Sequence, residues 1–136
     1  ALRTLSRWGE IPPASRLSLV PAPTRPLAAR RRGGDTVTAI AACAAGELGQ
    51  RTSVRPLLTI RPGGRDSAGL DARARRRNLA QRVGVRSPPT RTDRSPRTAT
   101  VLVDDVMTTG ATAAESVRVL AEHGVRVDLV AVIAGA

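Results

Sequence analysis

The stretch that decides the fold is Ala99-Thr100-Val101-Leu102-Val103-Asp104-Asp105-Val106-Met107-Thr108-Thr109-Gly110-Ala111-Thr112. Its first five residues are apolar or β-branched without alternation, as in a strand buried on both faces of a parallel sheet. The run ends at Asp104-Asp105, and the reading places Val106 to Thr112 in a loop that enters a helix. Ala113, Ala114, Val117, Leu120 and Ala121 recur at helical spacing, and Gly124 stands where a glycine just past a helix C-terminus belongs. Val125 to Ile133 is a second apolar strand candidate. Strand, loop, helix and strand make a βαβ unit, whose crossover in a parallel sheet is right-handed.

Upstream, Leu17 to Val20 has the character of a short buried strand, stopped by Pro21-Ala22-Pro23. Asp35 is placed to cap a helix over 36–48, with Val37, Ile40, Ala41, Ala44 and Leu48 on its apolar face and Gly49 at its end. Val54 to Ile60 reads as a strand, and Pro56 makes it an edge strand or a short one. Arg61 to Pro96 is rich in Arg, Gly and Pro, with a helical patch around Ala72–Arg82, and reads as either disorder or a functional loop system. Residues 1–16 form a lead-in segment in which Trp8 is a packing anchor, and residues 17–136 form the domain proper. No internal repeat is visible.

Composition narrows the function. The 136 residues include 22 arginines, no lysine, one tryptophan, no phenylalanine or tyrosine, and carry a formal charge of +11. The charge is uneven: residues 1–100 sum to +14 and residues 101–136 to −3. Excess arginine suggests nucleic acid, but single-strand binders pair basic grooves with aromatic stacking platforms, which this composition lacks. Biased base composition accounts for the arginines equally well. One cysteine, Cys43, excludes a disulfide scaffold and a multi-cysteine zinc site, so no zinc is expected in this chain. Cys43 is expected to be a buried packing residue among alanines, and His123 a helix-end cap rather than a catalyst. No apolar run approaches the ~20 residues of a membrane span, and no signal-peptide pattern opens the chain, so a cytoplasmic, non-membrane protein is expected.

The loop after Val103 is where the chemistry lies. The end of a parallel strand followed by a helix N-terminus is a ligand-binding position in α/β folds. Backbone amides there bind phosphate without any lysine, and the Gly-Lys-Ser/Thr of a P-loop is absent. Two carboxylates beside a phosphate site would repel phosphate. They suit vicinal ribose hydroxyls, or Mg²⁺ bridged by water. The combination fits a ribose bearing a 5′-phosphate. Met107 either lines this site or points into the core.

Val101 to Thr112 resembles the loop of type I phosphoribosyltransferases that binds 5-phosphoribosyl 1-pyrophosphate (PRPP). The resemblance implies that Asp104 and Asp105 contact the ribose 2′- and 3′-hydroxyls, and that Thr108, Thr109, Gly110, Ala111 and Thr112 cradle the 5′-phosphate. Leu19-Val20-Pro21-Ala22-Pro23, Arg32-Gly33-Gly34-Asp35, Gly69-Leu70 and Arg75-Arg76-Arg77-Asn78, in that order, resemble the ComF (ComF/GntX) family of predicted phosphoribosyltransferases. On that resemblance Pro21, Ala22, Pro23, Thr24 and Arg25 form the pyrophosphate loop. Arg75 and Asn78 lie in a flexible hood over 61–98. The family commonly has an aromatic residue and Asn where this chain has Gly34 and Asp35, and a Gln at Ser67. Members also commonly begin with a cysteine zinc ribbon, so the chain reads as the C-terminal, PRPP-binding part of a longer protein.

The implied fold is α/β, a Rossmann-like parallel sheet flanked by helices, of the type I phosphoribosyltransferase kind and lacking N-terminal elements. The implied activity is transfer of the 5-phosphoribosyl group from Mg²⁺–PRPP to a nitrogen nucleophile with release of pyrophosphate, a step in nucleotide metabolism. Two other readings stand beside it: a non-catalytic PRPP- or nucleotide-binding regulatory module, and an accessory protein of DNA uptake that contacts nucleic acid through its arginines. An open sheet edge would favour association between copies.

Overall fold

A computed structural model describes residues 16–24, 33–62, 71–74, 78, 81–107 and 109–135. Its elements are β1 (Arg16–Pro21), α1 (Thr36–Leu48), β2 (Thr52–Val54), β3 (Leu58–Ile60), β4 (Val83–Val85), β5 (Thr98–Met107), α2 (Ala111–Glu122) and β6 (Leu129–Gly135). Four strands form a parallel sheet in the order β2-β1-β5-β6, while β3 and β4 pair antiparallel as a separate ribbon. The protein is thus an α/β fold with helices on both faces of a parallel sheet.

Alternation along the central strands divides the core in two. Leu17 and Leu19 of β1, with Ala99, Val101 and Val103 of β5, pack against Val37 and Ala41 of α1. Val20 and Leu102 face the other way, against Ala113, Val119 and Leu120 of α2 and against Leu58, Ile60 and Val83 of the ribbon. Leu102 and Leu120 are wholly buried, each stabilising the fold by about 1.5–3 kcal/mol relative to exposure.

Helix α1 begins as its sequence requires. Asp35 takes an extended backbone, and its Oδ1 accepts from the Thr38 amide at 3.3 Å while its Oδ2 accepts from the Thr38 hydroxyl at 2.6 Å. Helix α2 closes in a Schellman motif. The Gly124 amide donates to Ala121 O, and the Val125 amide to Leu120 O, with Gly124 at φ 80. His123 is the C-cap, its Nδ1 2.8 Å from Val119 O.

Several expectations are corrected. Val54 to Ile60 is two strands in two sheets. The Arg55 amide makes the last bond to Leu19 O, exposed Pro56 has no amide to continue the ladder, and a tight turn (Leu57 N–H to Arg55 O) redirects the chain into the ribbon. The strand after Val103 continues through Met107, because β6 is long enough to pair with it as far as Met107 opposite Gly135. The final strand starts at Leu129 rather than Val125. The Val125 amide is taken by the helix cap, and the Asp128 carboxylate accepts from the Thr100 amide at 2.9 Å.

The apolar stripe of α2 is rotated from the expected one. Ser116 and Val119 are buried, whereas Ala114 and Ala121 are exposed. Cys43 is exposed, because α1 turns Val37 and Ala41 inward and Cys43 away from the sheet. Within Arg61–Pro96, residues 81–96 are built around β4 and the turns that precede β5. Of the helical patch over 72–82, Ala72, Arg73, Ala74 and Asn78 are helical, and Gln81 and Arg82 form a turn. Trp8 lies outside the described residues. Among the described residues no helix is long and apolar enough to cross a membrane.

Candidate functional site at the carboxyl edge of the sheet

The strand order creates a particular place. From β1 the chain runs through α1 to β2 on one side, and from β5 through α2 to β6 on the other, with the two helices on opposite faces. β1 and β5 are neighbours, with Pro21 opposite Val103. Their carboxyl ends flank the topological switch point, where loops leave in opposite directions and open a crevice.

The end of β5 and the turn after it line part of that crevice. Asp104, Val106, Met107, Thr109, Gly110, Ala111, Thr112 and Ala113 line a cleft of about 80 Å³. That is room for a group of two or three water volumes, and too little for a whole drug-sized ligand. Gly110 caps α2 with φ 74, a left-handed conformation open to glycine at little cost, and being glycine it offers no side-chain acceptor to the first turn. The Thr109 hydroxyl accepts from the Ala111 amide at 3.3 Å. The other first-turn amides have no partner within the helix and point, with the helix dipole, toward the cleft.

Asp104 lines this cleft, half-buried in the carboxyl half of β5. Burial pushes its pKa up from the ordinary carboxylate value. The Asp105 amide, donating to Oδ1 at 2.9 Å, pulls the other way, and the neighbouring Asp105 charge pushes up again. Asp105, whose side chain reaches that of Asp104, is not among the described residues lining the cleft; its Oδ1 accepts from the Val106 amide at 2.8 Å. Met107, 39% exposed, lies on the cleft, its Sδ 3.6 Å from where a Cβ on Gly110 would stand.

From the neighbouring strand, Pro21 ends β1 and Ala22 is buried, its amide donating to Val103 O at 2.7 Å. Pro23 and Thr24 are half-buried as the chain emerges at the same edge. The Thr24 hydroxyl donates to Asp35 Oδ1 at 3.3 Å, tying this loop to the start of α1. Asn78 is helical and exposed. Arg25, Arg75 and Thr108 lie outside the described residues. Among the described residues no group of three or more His, Cys, Asp or Glu side chains could hold a metal ion.

A bidentate pair on the same sheet, away from this cleft, has no counterpart in the sequence reading. Arg55 Nε and Nη2 donate to the two carboxylate oxygens of Asp93 at 2.8 and 2.7 Å, and Asp93 Oδ2 also accepts from the amide and hydroxyl of Thr90. Thirty-eight residues separate the partners, and no local pattern marks either one. Compared with known proteins, the sequence matches no family model and no curated protein.

Proposed function

We propose that this chain is the PRPP-binding part of a phosphoribosyltransferase of the ComF type, transferring a 5-phosphoribosyl group from PRPP to a nitrogen nucleophile with release of pyrophosphate. The observation that carries the reading is the Asp104 carboxylate facing the glycine-capped N-terminus of α2 across a phosphate-sized cleft at the switch point of the sheet. A 5′-phosphate sits in that cleft on the amides of Thr112 and Ala113, and Asp104 accepts hydrogen bonds from the ribose hydroxyls. The loop Pro21–Thr24, emerging from the adjacent strand, faces the pyrophosphate.

The reaction breaks the bond from C1 to the pyrophosphate oxygen as the bond to nitrogen forms, through an oxocarbenium-like state. The protein's part is to hold the ribose by both its phosphate and its hydroxyls, and to stabilise the departing charge with positioned donors. With one carboxylate among the described residues of the cleft, the donor set suits Mg²⁺ held mostly by substrate phosphates, with Asp104 reaching it through water. Bound in that way, Mg²⁺ would neutralise the charge of the leaving pyrophosphate.

Calorimetric titration with Mg²⁺–PRPP tests the site. Asp104→Asn is expected to weaken binding about 10- to 100-fold, the worth of hydrogen bonds to a charged acceptor. Unchanged affinity sinks the site assignment. Pyrophosphate release measured over a panel of bases, ammonia and amines tests turnover. Binding with no release from any acceptor identifies a non-catalytic PRPP-binding module.

A further inference from the structure

At the amino edge of the sheet, opposite the cleft just described, lies a larger cavity of about 730 Å³. We propose that it is a second binding site, for a small phosphorylated molecule bearing hydroxyl groups, separate from the switch-point cleft.

The cavity is within the range of small-molecule sites, ~300–1,000 Å³. Its walls include Arg16, Ser18, Ser53, Arg55, Thr90 and Thr98. Register explains why they meet: Arg16 lies opposite Thr98, and Ser18 opposite Ser53, so their side chains leave the sheet on one face. Among the described residues the lining is largely hydroxyl and guanidinium, Arg16, Arg51 and Arg55 standing there with the carboxylate of Asp93.

One detail points to a ligand. Arg55 is held in a fixed orientation by two of its N–H groups on Asp93, and a guanidinium has further N–H groups to offer. A planar donor fixed in this manner is suited to phosphate oxygens. Arg16 makes no ion pair among the described residues and adds an uncompensated charge at the mouth. Among the described residues the lining has no aromatic ring to stack on a base, which favours a sugar phosphate or similar polyol phosphate over a nucleobase ligand.

The test is a titration of the full chain with ribose 5-phosphate, followed by amide chemical shifts. Two sets of resonances should move: Gly110 to Thr112 at the switch point, and Ser18, Ser53, Thr90 and Thr98 at the amino edge. Arg16→Ala should weaken the second set about ten-fold or more while sparing the first; Asp104→Asn should do the reverse. Absence of shifts at the amino edge, or shifts there that Arg16→Ala leaves untouched, overturns the proposal. So does loss of both sets in Asp104→Asn, which would make the amino-edge response an echo of the first site.

Discussion

Removing the Asp93 carboxylate should expose how the turn before β5 is secured. Its side chain is 3% exposed and receives four hydrogen bonds, two from Arg55 and two from Thr90. Breaking a buried pair by deleting one partner costs about 3–5 kcal/mol when the orphaned charge stays buried. Arg55 is 34% exposed, so water recovers part of that cost, and about 2–3 kcal/mol is expected for Asp93→Ala. For a chain of this length each kcal/mol moves the melting temperature by about 3–5 °C, so a fall of roughly 6–15 °C should appear by calorimetry or circular dichroism at pH 7.

The pH dependence is the sharper test. Burial raises the Asp93 pKa, but the hydrogen bonds from Arg55 and Thr90 and the Arg55 charge together outweigh it, and the net shift is downward. A carboxylate with a depressed folded pKa stabilises above its unfolded pKa, and that contribution disappears as pH falls through the folded value. The gap between wild type and Asp93→Ala should therefore close in strong acid, below the ordinary carboxylate range. A gap under 2 °C at pH 7, or one that persists unchanged in strong acid, would refute the reasoning.

Asp104→Asn should behave oppositely in stability. Burial, with Asp105 nearby, raises the Asp104 pKa, so its favourable protonated form is lost as pH rises through the folded value; by thermal melts the Asn variant should be at least as stable as wild type at pH 7, despite weaker PRPP binding. Gly110→Ala meets open space, with Met107 Sδ at 3.6 Å, but must hold φ 74, and should destabilise by about 1–2 kcal/mol with no change of fold in a denaturant titration. Asp35→Ala removes the cap of α1 and its tie to Thr24, and should cost about 0.5–2 kcal/mol by the same measurement, whereas Asp35→Asn should lose less.

The elements legible in the sequence were those whose signals are local. Asp35 and Gly49 bracket α1 because capping is a matter of a few adjacent residues, and Gly124 closes α2 for the same reason. The apolar run at Leu17–Val20 and the one at Ala99–Val103 are both central strands, buried on both faces. What escaped reading depends on partners distant in sequence. Nothing within Val83-Gly84-Val85 announces a strand until Leu58–Ile60 lies beside it. Asp104 to Met107 look like loop residues, and become strand only because β6 extends beside them. The two adjacent aspartates read as one site in sequence, whereas of the two Asp104 alone lines the cleft. Arg55 and Asp93 carry no mark of each other at all.

The pairing of β1 with β5 has a consequence for how the chain is made. Arg16 finds its partner at Thr98, and its other neighbour, β2, is only three residues long. A ribosome emitting this chain therefore releases the apolar Leu17–Val20 long before the strand that shields it exists. Sheets assembled from such remote pairings fold slowly, and unpaired apolar strands are prone to aggregation meanwhile. Expression yield should then depend more on chaperone supply during synthesis than on the stability of the finished fold.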